Sequence, residues 1–438
     1  MAQEQTSIPS NRASRVAALA GAGAQVGVNY LKHYGRRVVG SEPATDTLHE
    51  QNADVVYDAF SKLKGGPLKL AQMLSIDKNM LPEAYRNQFA QAQYSAPPLS
   101  YPLVVKTFQR EFGKKPLEIF DTFSKEAAHG ASIGQVHRAA IGDKTFAVKV
   151  QYPGVADSLN SDLAIVKPIA LRIMGMSERD FAPYITEVQK RLLEETDYEL
   201  ELKRSIELSK NSRSLKNIRF PDYYPEYSGK RVIVMDWIDG IPLDQYAENE
   251  ASKEKRNQVA QSIWDFYHFQ IHTLLRFHAD PHPGNFLVDE NNAVVALDFG
   301  CTKEITRQYR DDYFRFLDPA LLEDREGFEA AMRKLDLILE EDSLQEIDLI
   351  LHNAMLGTKL LGRPFYEKSF DFGDEDFMKS IYEFGERQRT DRDLKQMKTA
   401  RGSPDSIYLN RAYFGLYSLM GLLRAEISAR SPGTRESS

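Results

Sequence analysis

The chain has 438 residues, of which 42% are hydrophobic and 27% charged. That length allows two or three domain-sized units with ample core, and the composition excludes a disordered chain. A net charge of -7, with no basic patch interleaved with aromatics, argues against a general nucleic-acid binder. The single cysteine, Cys301, excludes an internal disulfide framework and a cysteine-built zinc site, and fits a reducing, cytoplasmic compartment.

Residues 1–46 read as a flexible, basic amino-terminal segment. Its charge-free run VAALAGAGAQVGVNYL is too short for the roughly 20 apolar residues of a spanning helix. Residues 1–40 carry five Lys/Arg against one Glu, with basic residues on both sides of that run, unlike a secretory signal. An amphipathic helix packed on the protein and a membrane-surface anchor are the two readings. AYFGLYSLMGLL, near the carboxyl end, is also too short to span.

Residues 47–120 show helical spacing in VVYDAFSKLKGGPLKLAQML and a break at SAPPLSYP. From 121 to 155 the pattern becomes that of strands: GQVHRAAI, a GDK turn and TFAVKVQY predict a hairpin. Residues 157–217 return to helix, KRVIVMDWIDGIPL is a buried strand entering a turn, and 252–276 predicts one long helix. AVVALDFG ends a short strand pair, and the chain beyond about 305 reads as helical.

Directly after the predicted helix and before AVVALDFG lies FHADPHPGNFLVD. His278-Ala279-Asp280, then Asn285, then Asp298-Phe299-Gly300 match the pattern H-x-D-x-x-x-x-N followed by D-F-G. Phosphoryl transfer demands mainly positioning and charge neutralisation from a protein. Asp298 and the amide oxygen of Asn285 are hard oxygen ligands suited to Mg²⁺. Asp280 is left to accept a hydroxyl proton or orient a water, while Pro281 and Pro283 stiffen the turn. A D-x-x-x-x-N alone would be a polar turn with an Asx cap; the D-F-G at the right distance makes it a site.

Upstream, GASIGQVHRAAIGDKTFAVKV supplies Gly134, Val136, a hairpin and Lys149 in the order of a nucleotide loop and its strand lysine. Ala131 and Ser132 belong to that loop, but His129 and Ala131 stand where protein kinases place glycines. Met235-Asp236-Trp237-Ile238 ends a strand where a hinge would pair with adenine through its backbone, making Met235, Asp236 and Ile238 candidate nucleotide contacts. EETDYELE holds Glu195, Asp197 and Glu201, and spacing alone does not choose which glutamate meets Lys149.

With these motifs the chain resembles the AarF/UbiB-type atypical kinases associated with ubiquinone and other isoprenoid-lipid metabolism. The resemblance covers about residues 47–425 and rests on AHGASIGQVH, VKVQYPGV, EETDYELE, HADPHPGN and DFG in order. It implies that Glu201 pairs with Lys149 and that Glu195 and Asp197 form the family's E-x-D motif. It also places Lys69 and Gln72 on the K-x-G-Q motif of a regulatory helix over the nucleotide cleft, here with Ala71 for Gly.

The expected fold is therefore α+β and protein-kinase-like, bilobal, with a helical amino-terminal extension (47–120), a sheet-bearing lobe with a helical insertion (121–238) and a helical carboxyl part (239–438). ATP with Mg²⁺ would bind between the lobes, and Asp280, Lys149 and Glu201 would form the catalytic set. No A-P-E-like sequence follows D-F-G, and Ala279 replaces the arginine of many protein kinases, so a peptide acceptor is disfavoured. A small-molecule or lipid-like acceptor, a quinone precursor among them, fits better, as does hydrolysis alone. A soluble phosphotransferase of the aminoglycoside- or choline-kinase type and a non-catalytic nucleotide-dependent scaffold are the alternatives.

Overall fold

The computed structural model describes residues 45–63, 99–131, 133–174, 178–279, 281–390 and 401–430, with single helical positions at Ala17, Gly21, Gln25, Val28, Ala84, Tyr85 and Gln88. Of the expected membrane-surface helix only Ala17, Gly21, Gln25 and Val28 are described, as exposed helical positions, while Lys69, Gln72, Ser132 and Asp280 lie outside the described residues. Among those described, no helix is long and apolar enough to cross a membrane.

The chain divides into two compact units, the first comprising the residues up to Lys203 with Asp222–Trp237, and the second Arg204–Pro221 with the residues from Ile238 on. The first unit opens with helices α1 (Thr45–Leu63) and α2 (Tyr101–Phe112). Strands β1 (Thr122–Phe123), β2 (His129–Ala131), β3 (Gly134–Ile141), β4 (Lys144–Gln151) and β6 (Val232–Asp236) build an antiparallel sheet in the order β1-β3-β4-β6, with β2 on β3. The predicted hairpin is β3–β4, its register pairing Val136 with Lys149 and Ile141 with Lys144.

Alternation of side chains along β4 splits its residues between two faces. Phe146, Val148 and Val150 join Val104 and Phe108 of α2, Phe120, Phe123, Val232 and Val234 in one apolar core. Lys149 takes the opposite face, where Ile133, Tyr152, Val155, Tyr198 and Ile233 form a second cluster. Three helices, α3 (Val155–Met174), α4 (Glu178–Thr196) and α5 (Tyr198–Ser212), fill the stretch between β4 and β5 (Ile218–Arg219).

In the second unit, β5, β7 (Ile241–Pro242), β9 (Phe286–Val288) and β10 (Val294–Ala296) form a sheet in the order β5-β10-β9-β7. Behind it stand α6 (Leu243–Asn249) and α7 (Lys253–Phe269), whose Trp264, Phe266 and Tyr267 enter the main core. The long helix expected to reach residue 276 stops earlier. Past Phe269 the chain makes a π-helical turn over Gln270–Leu274 and a left-handed residue at Leu275 (φ 54°). It then forms β8 (Arg276–His278), paired with β11 (Thr302–Glu304). Gln270 explains the switch: its Oε1 accepts the His278 N–H at 2.9 Å, tying the helix end to the new strand.

The carboxyl part is helical as expected: α8 (Arg307–Phe314), α9 (Pro319–Glu323), α10 (Arg325–Lys334), α11 (Leu344–Leu361), α12 (Arg363–Tyr366), α13 (Glu375–Thr390) and α14 (Pro404–Leu422). The exception is a ladder of β12 (Phe370–Asp371) with β13 (Glu426–Ile427), too short to leave a period-two signal.

Candidate functional site

Lys149 and Glu201 form an ion pair at 2.5 Å, with side chains only 10% and 7% exposed. β4 carries the lysine to the face opposite α2, and α5 brings the glutamate. Asp197 makes that helix start where it does. Its Oδ1 accepts the Leu200 N–H at 3.0 Å, capping α5. Glu201 in turn donates its backbone N–H to the Asp197 carbonyl at 3.0 Å. Glu195 lies on the last turn of α4, half-buried, so of the two glutamates left open by spacing the structure pairs Glu201 with the lysine.

Tyr198 is a residue that the sequence reading passed over. It is fully buried, and the Lys149 ammonium lies 5.2 Å from its ring centroid. A Cβ on Gly134 would stand 2.7 Å from the Tyr198 hydroxyl and 2.5 Å from the Val150 carbonyl oxygen. Glycine at 134 is thus required by packing beneath the strand. A signal was present, since Tyr198 precedes Glu201 by three residues and shares its helix face.

The segment expected to form the nucleotide loop is flanked by two paired strands. β2 pairs with β3 through His129–Val136 and Ala131–Gly134, leaving two residues between the strands. The following Gln135 and His137 are buried and hydrogen-bonded. Gln135 Oε1 accepts the Leu99 N–H at 2.7 Å, its Nε2 donates to the Leu99 carbonyl at 3.3 Å, and His137 lies 2.8 Å away. Burial lowers the His137 pKa, and its Nδ1 is 2.9 Å from the Ser124 carbonyl.

At the end of β6, Met235 pairs with Ala147 and Asp236 with Phe146. The Asp236 carboxylate accepts from the Asp222 N–H at 3.0 Å and the Tyr224 hydroxyl at 2.6 Å. Backbone N–H groups of Asp236 and Trp237 donate to Asp222 and Thr145 carbonyls. The Trp237 ring is stacked by His129, and the Arg138 guanidinium lies 5.1 Å from its centroid. At Ile238 the chain re-enters the second unit.

In that second unit the β9–β10 ladder pairs Phe286 with Ala296, and one step further Leu297 donates its N–H to the Asn285 carbonyl at 3.0 Å. Asn285 and Asp298 therefore emerge at the same end of one hairpin. The Asp298 carboxylate accepts the Gly300 N–H at 2.8 Å. Pro283–Asn285 form a 3-10 turn capped by His282, whose Nδ1 accepts the Gly284 N–H at 3.1 Å. Buried His278 holds its own strand: Nδ1 is 3.2 Å from the Tyr267 hydroxyl, and its ring meets Phe299 edge-on. Phe299 itself is buried against Phe220 and Phe266. Soon after Gly300 the chain enters β11 and then α8 at Arg307.

Asn285 and Asp298 offer an amide oxygen and a carboxylate, a donor set that fits Mg²⁺. The paired Lys149 suits the α and β phosphates of a nucleotide.

Residues 91–332 match the family model described as the ABC1 atypical kinase-like domain. An ABC1 family protein of Schizosaccharomyces pombe is 34% identical over 281 residues, 61% of this chain and 52% of that protein. A mitochondrial protein of Saccharomyces cerevisiae named atypical kinase COQ8 is 28% identical over 442 residues, 97% of this chain and 84% of that one. Among solved structures, Rv3197 of Mycobacterium tuberculosis in complex with erythromycin matches with a TM-score of 0.59 at 24% identity, covering 88% of this chain and 95% of that one. At that identity the likeness shows the fold alone, which is the expected kinase-like α+β fold. The chain spans about half the length of the fission-yeast relative.

Proposed function

The chain belongs to the ABC1 atypical kinase-like family, as its resemblance to AarF/UbiB proteins implied, and from that premise we propose that it binds ATP with Mg²⁺ and either hydrolyses it or passes the γ-phosphoryl to a small or lipid-like acceptor. The observation that carries this reading is the buried Lys149–Glu201 pair. A lysine and a glutamate both withdrawn from water are costly to desolvate, and their retention makes sense where a second anion, the nucleotide's phosphates, shares the ammonium.

In this reading Lys149 orients the α and β phosphates and Glu201 holds the lysine. Asn285 and Asp298 would hold Mg²⁺, which would supply neutralisation of the charge on the transferring phosphoryl group. Asp280 accepts the proton of the attacking hydroxyl or water. Adenine is read by backbone groups from Met235 to Ile238; since the N–H groups of Asp236 and Trp237 are already donated, carbonyls and the Ile238 amide are the groups for that task. Ala131, Ser132, Gly134 and Val136 line the phosphates through a turn stiffer than a glycine-rich loop. Lys69 and Gln72 restrain the site by meeting Glu195 and Asp197.

The acceptor is not an extended peptide. Helix α8 resumes at Arg307, soon after Gly300, leaving little chain for a peptide-binding activation segment. A small or lipid-like molecule, in support of isoprenoid-quinone or membrane-lipid metabolism, agrees with the family and with that short connection. The test is phosphate release by the full chain with ATP and Mg²⁺, with and without vesicles carrying a prenylated phenol, compared with Lys149→Ala. Release that is Mg²⁺-dependent and lost in the variant supports the reading; equal nucleotide affinity and turnover in both proteins overturns it.

A further inference from the structure

AYFGLYSLMGLL, too short to span a membrane, forms the second half of α14 and its C-cap, Leu423. Its Leu416, Leu419 and Met420 are fully buried or nearly so, which accounts for the apolar run. Gly415 is not explained by that burial. Glycine is the poorest helix former after proline, and it sits here well inside a helix. A Cβ on Gly415 would lie 2.2 Å from Pro281 Cγ and 2.9 Å from the Pro281 carbonyl oxygen. Pro281 is the residue after Asp280.

The neighbouring contacts extend the same seam. Leu409 and Ala412 share one buried cluster with Phe277, Ala279 and Cys301. The same helix thus packs on Phe277 and Ala279 through the cluster that holds Leu409 and Ala412, and on Pro281 at Gly415. Two polar contacts fix its first turn to the segment after Asp298: Lys303 with Asp405 at 2.7 Å, and the Tyr309 hydroxyl with Ser406 at 2.7 Å.

We propose that α14 is the backing of the catalytic loop and that Gly415 is a positioning residue, setting where Pro281 of that loop is held. This rests on the phosphoryl-transfer reading for its effect on rate, but not for its effect on loop order. A displacement of about 1 Å costs on the order of a hundredfold in a positioned reaction. A methyl at 415 forces a shift of several tenths of an ångström or more. The shift falls on the loop, because the helix is anchored in the core on either side of Gly415.

The experiment compares Gly415→Ala with Gly421→Ala, the control in the same helix, where the nearest atom to a new Cβ is the flexible Met378 Cε at 3.4 Å. Turnover at saturating MgATP, ATP affinity, Tm and hydrogen exchange of the peptide spanning 277–289 are read on each full chain. The proposal expects Gly415→Ala to lose about tenfold or more in kcat, to keep ATP affinity within about threefold, and to exchange faster in that peptide, with Gly421→Ala like wild type. Unchanged kcat and exchange in Gly415→Ala, or equal losses in both variants, overturns it. If the wild type shows no turnover, the functional reading fails while loop exchange still decides this one. Should Gly415→Ala not fold, adding Pro281→Ala removes the nearest atom and is expected to restore folding; failure to do so also overturns the proposal.

Discussion

Lys149 and Glu201 are joined at 2.5 Å across the inner face of the first unit's sheet, with the ring of Tyr198 beneath the ammonium. Removing one partner strands a buried charge, a loss of about 3 to 5 kcal/mol, whereas replacing both with apolar residues of similar volume is often nearly neutral. Glu201→Leu alone should therefore be much less stable than wild type in urea unfolding. The double variant Lys149→Met/Glu201→Leu should recover most of that loss while lacking nucleotide binding. Additive losses in the double variant would contradict a coupled buried pair.

Gly134→Ala tests the packing beneath the nucleotide loop. With a Cβ 2.5 Å from the Val150 carbonyl oxygen, the strand or Tyr198 must move, and overpacking of this kind costs about 1 to 3 kcal/mol. The expected result is a lower midpoint of denaturant unfolding. Gly142→Ala, in the hairpin turn, has open space but a φ of +55° and should lose stability through backbone strain instead. Adding Tyr198→Phe should relieve part of the first loss and none of the second.

Gln135→Leu removes the acceptor of the buried Leu99 N–H and the donor to its carbonyl. Leaving such groups unmatched costs about 1 to 3 kcal/mol each. Hydrogen exchange around residues 97–102 should accelerate while the β9–β10 hairpin stays protected. Uniform acceleration through both units would show that Gln135 does not act locally.

How far the sequence reveals all this depends on the length scale of each signal. The β3–β4 hairpin was legible because eight-residue strands alternate around a turn, and the Asn285/Asp298 spacing was legible because one tight hairpin holds both. β8 was hidden inside an apparent helix, since its three residues carry no period and its helix ends through one side chain, Gln270. Tyr198 has only its place on the helix face of Glu201 as a signal and Gly415 has none: each matters through contacts made across long stretches of sequence, with Lys149 and Gly134 in one case and Pro281 in the other. The choice of Glu201 over Glu195 needed the resemblance, because both are acidic positions on helical sequence.

Acid should weaken the second unit through His272, whose pKa is pushed down to about 4 by burial, with the Arg310 charge adding to the effect. A histidine pKa below its unfolded value of about 6.5 means that the unfolded chain binds protons first. The stabilisation is complete above pH 6.5 and is lost as pH falls toward 4. His268, 5.2 Å away ring to ring and also held neutral by burial, contributes in the same direction. His272→Phe, which keeps a ring against Phe314, should lose less Tm between pH 6.5 and 4 than wild type does. Identical pH slopes would remove His272 as a source.

The central claim is that this chain binds nucleotide through Lys149 and a metal through Asp298. Calorimetric titration of ATP, with Mg²⁺ and with EDTA, into wild type, Lys149→Met and Asp298→Asn tests it most directly. Mg²⁺ is expected to tighten ATP binding to wild type, Lys149→Met to lose affinity under both conditions, and Asp298→Asn to keep the metal-free affinity but lose the gain from Mg²⁺. An undiminished Mg²⁺ gain in Asp298→Asn, together with wild-type affinity in Lys149→Met, would contradict it.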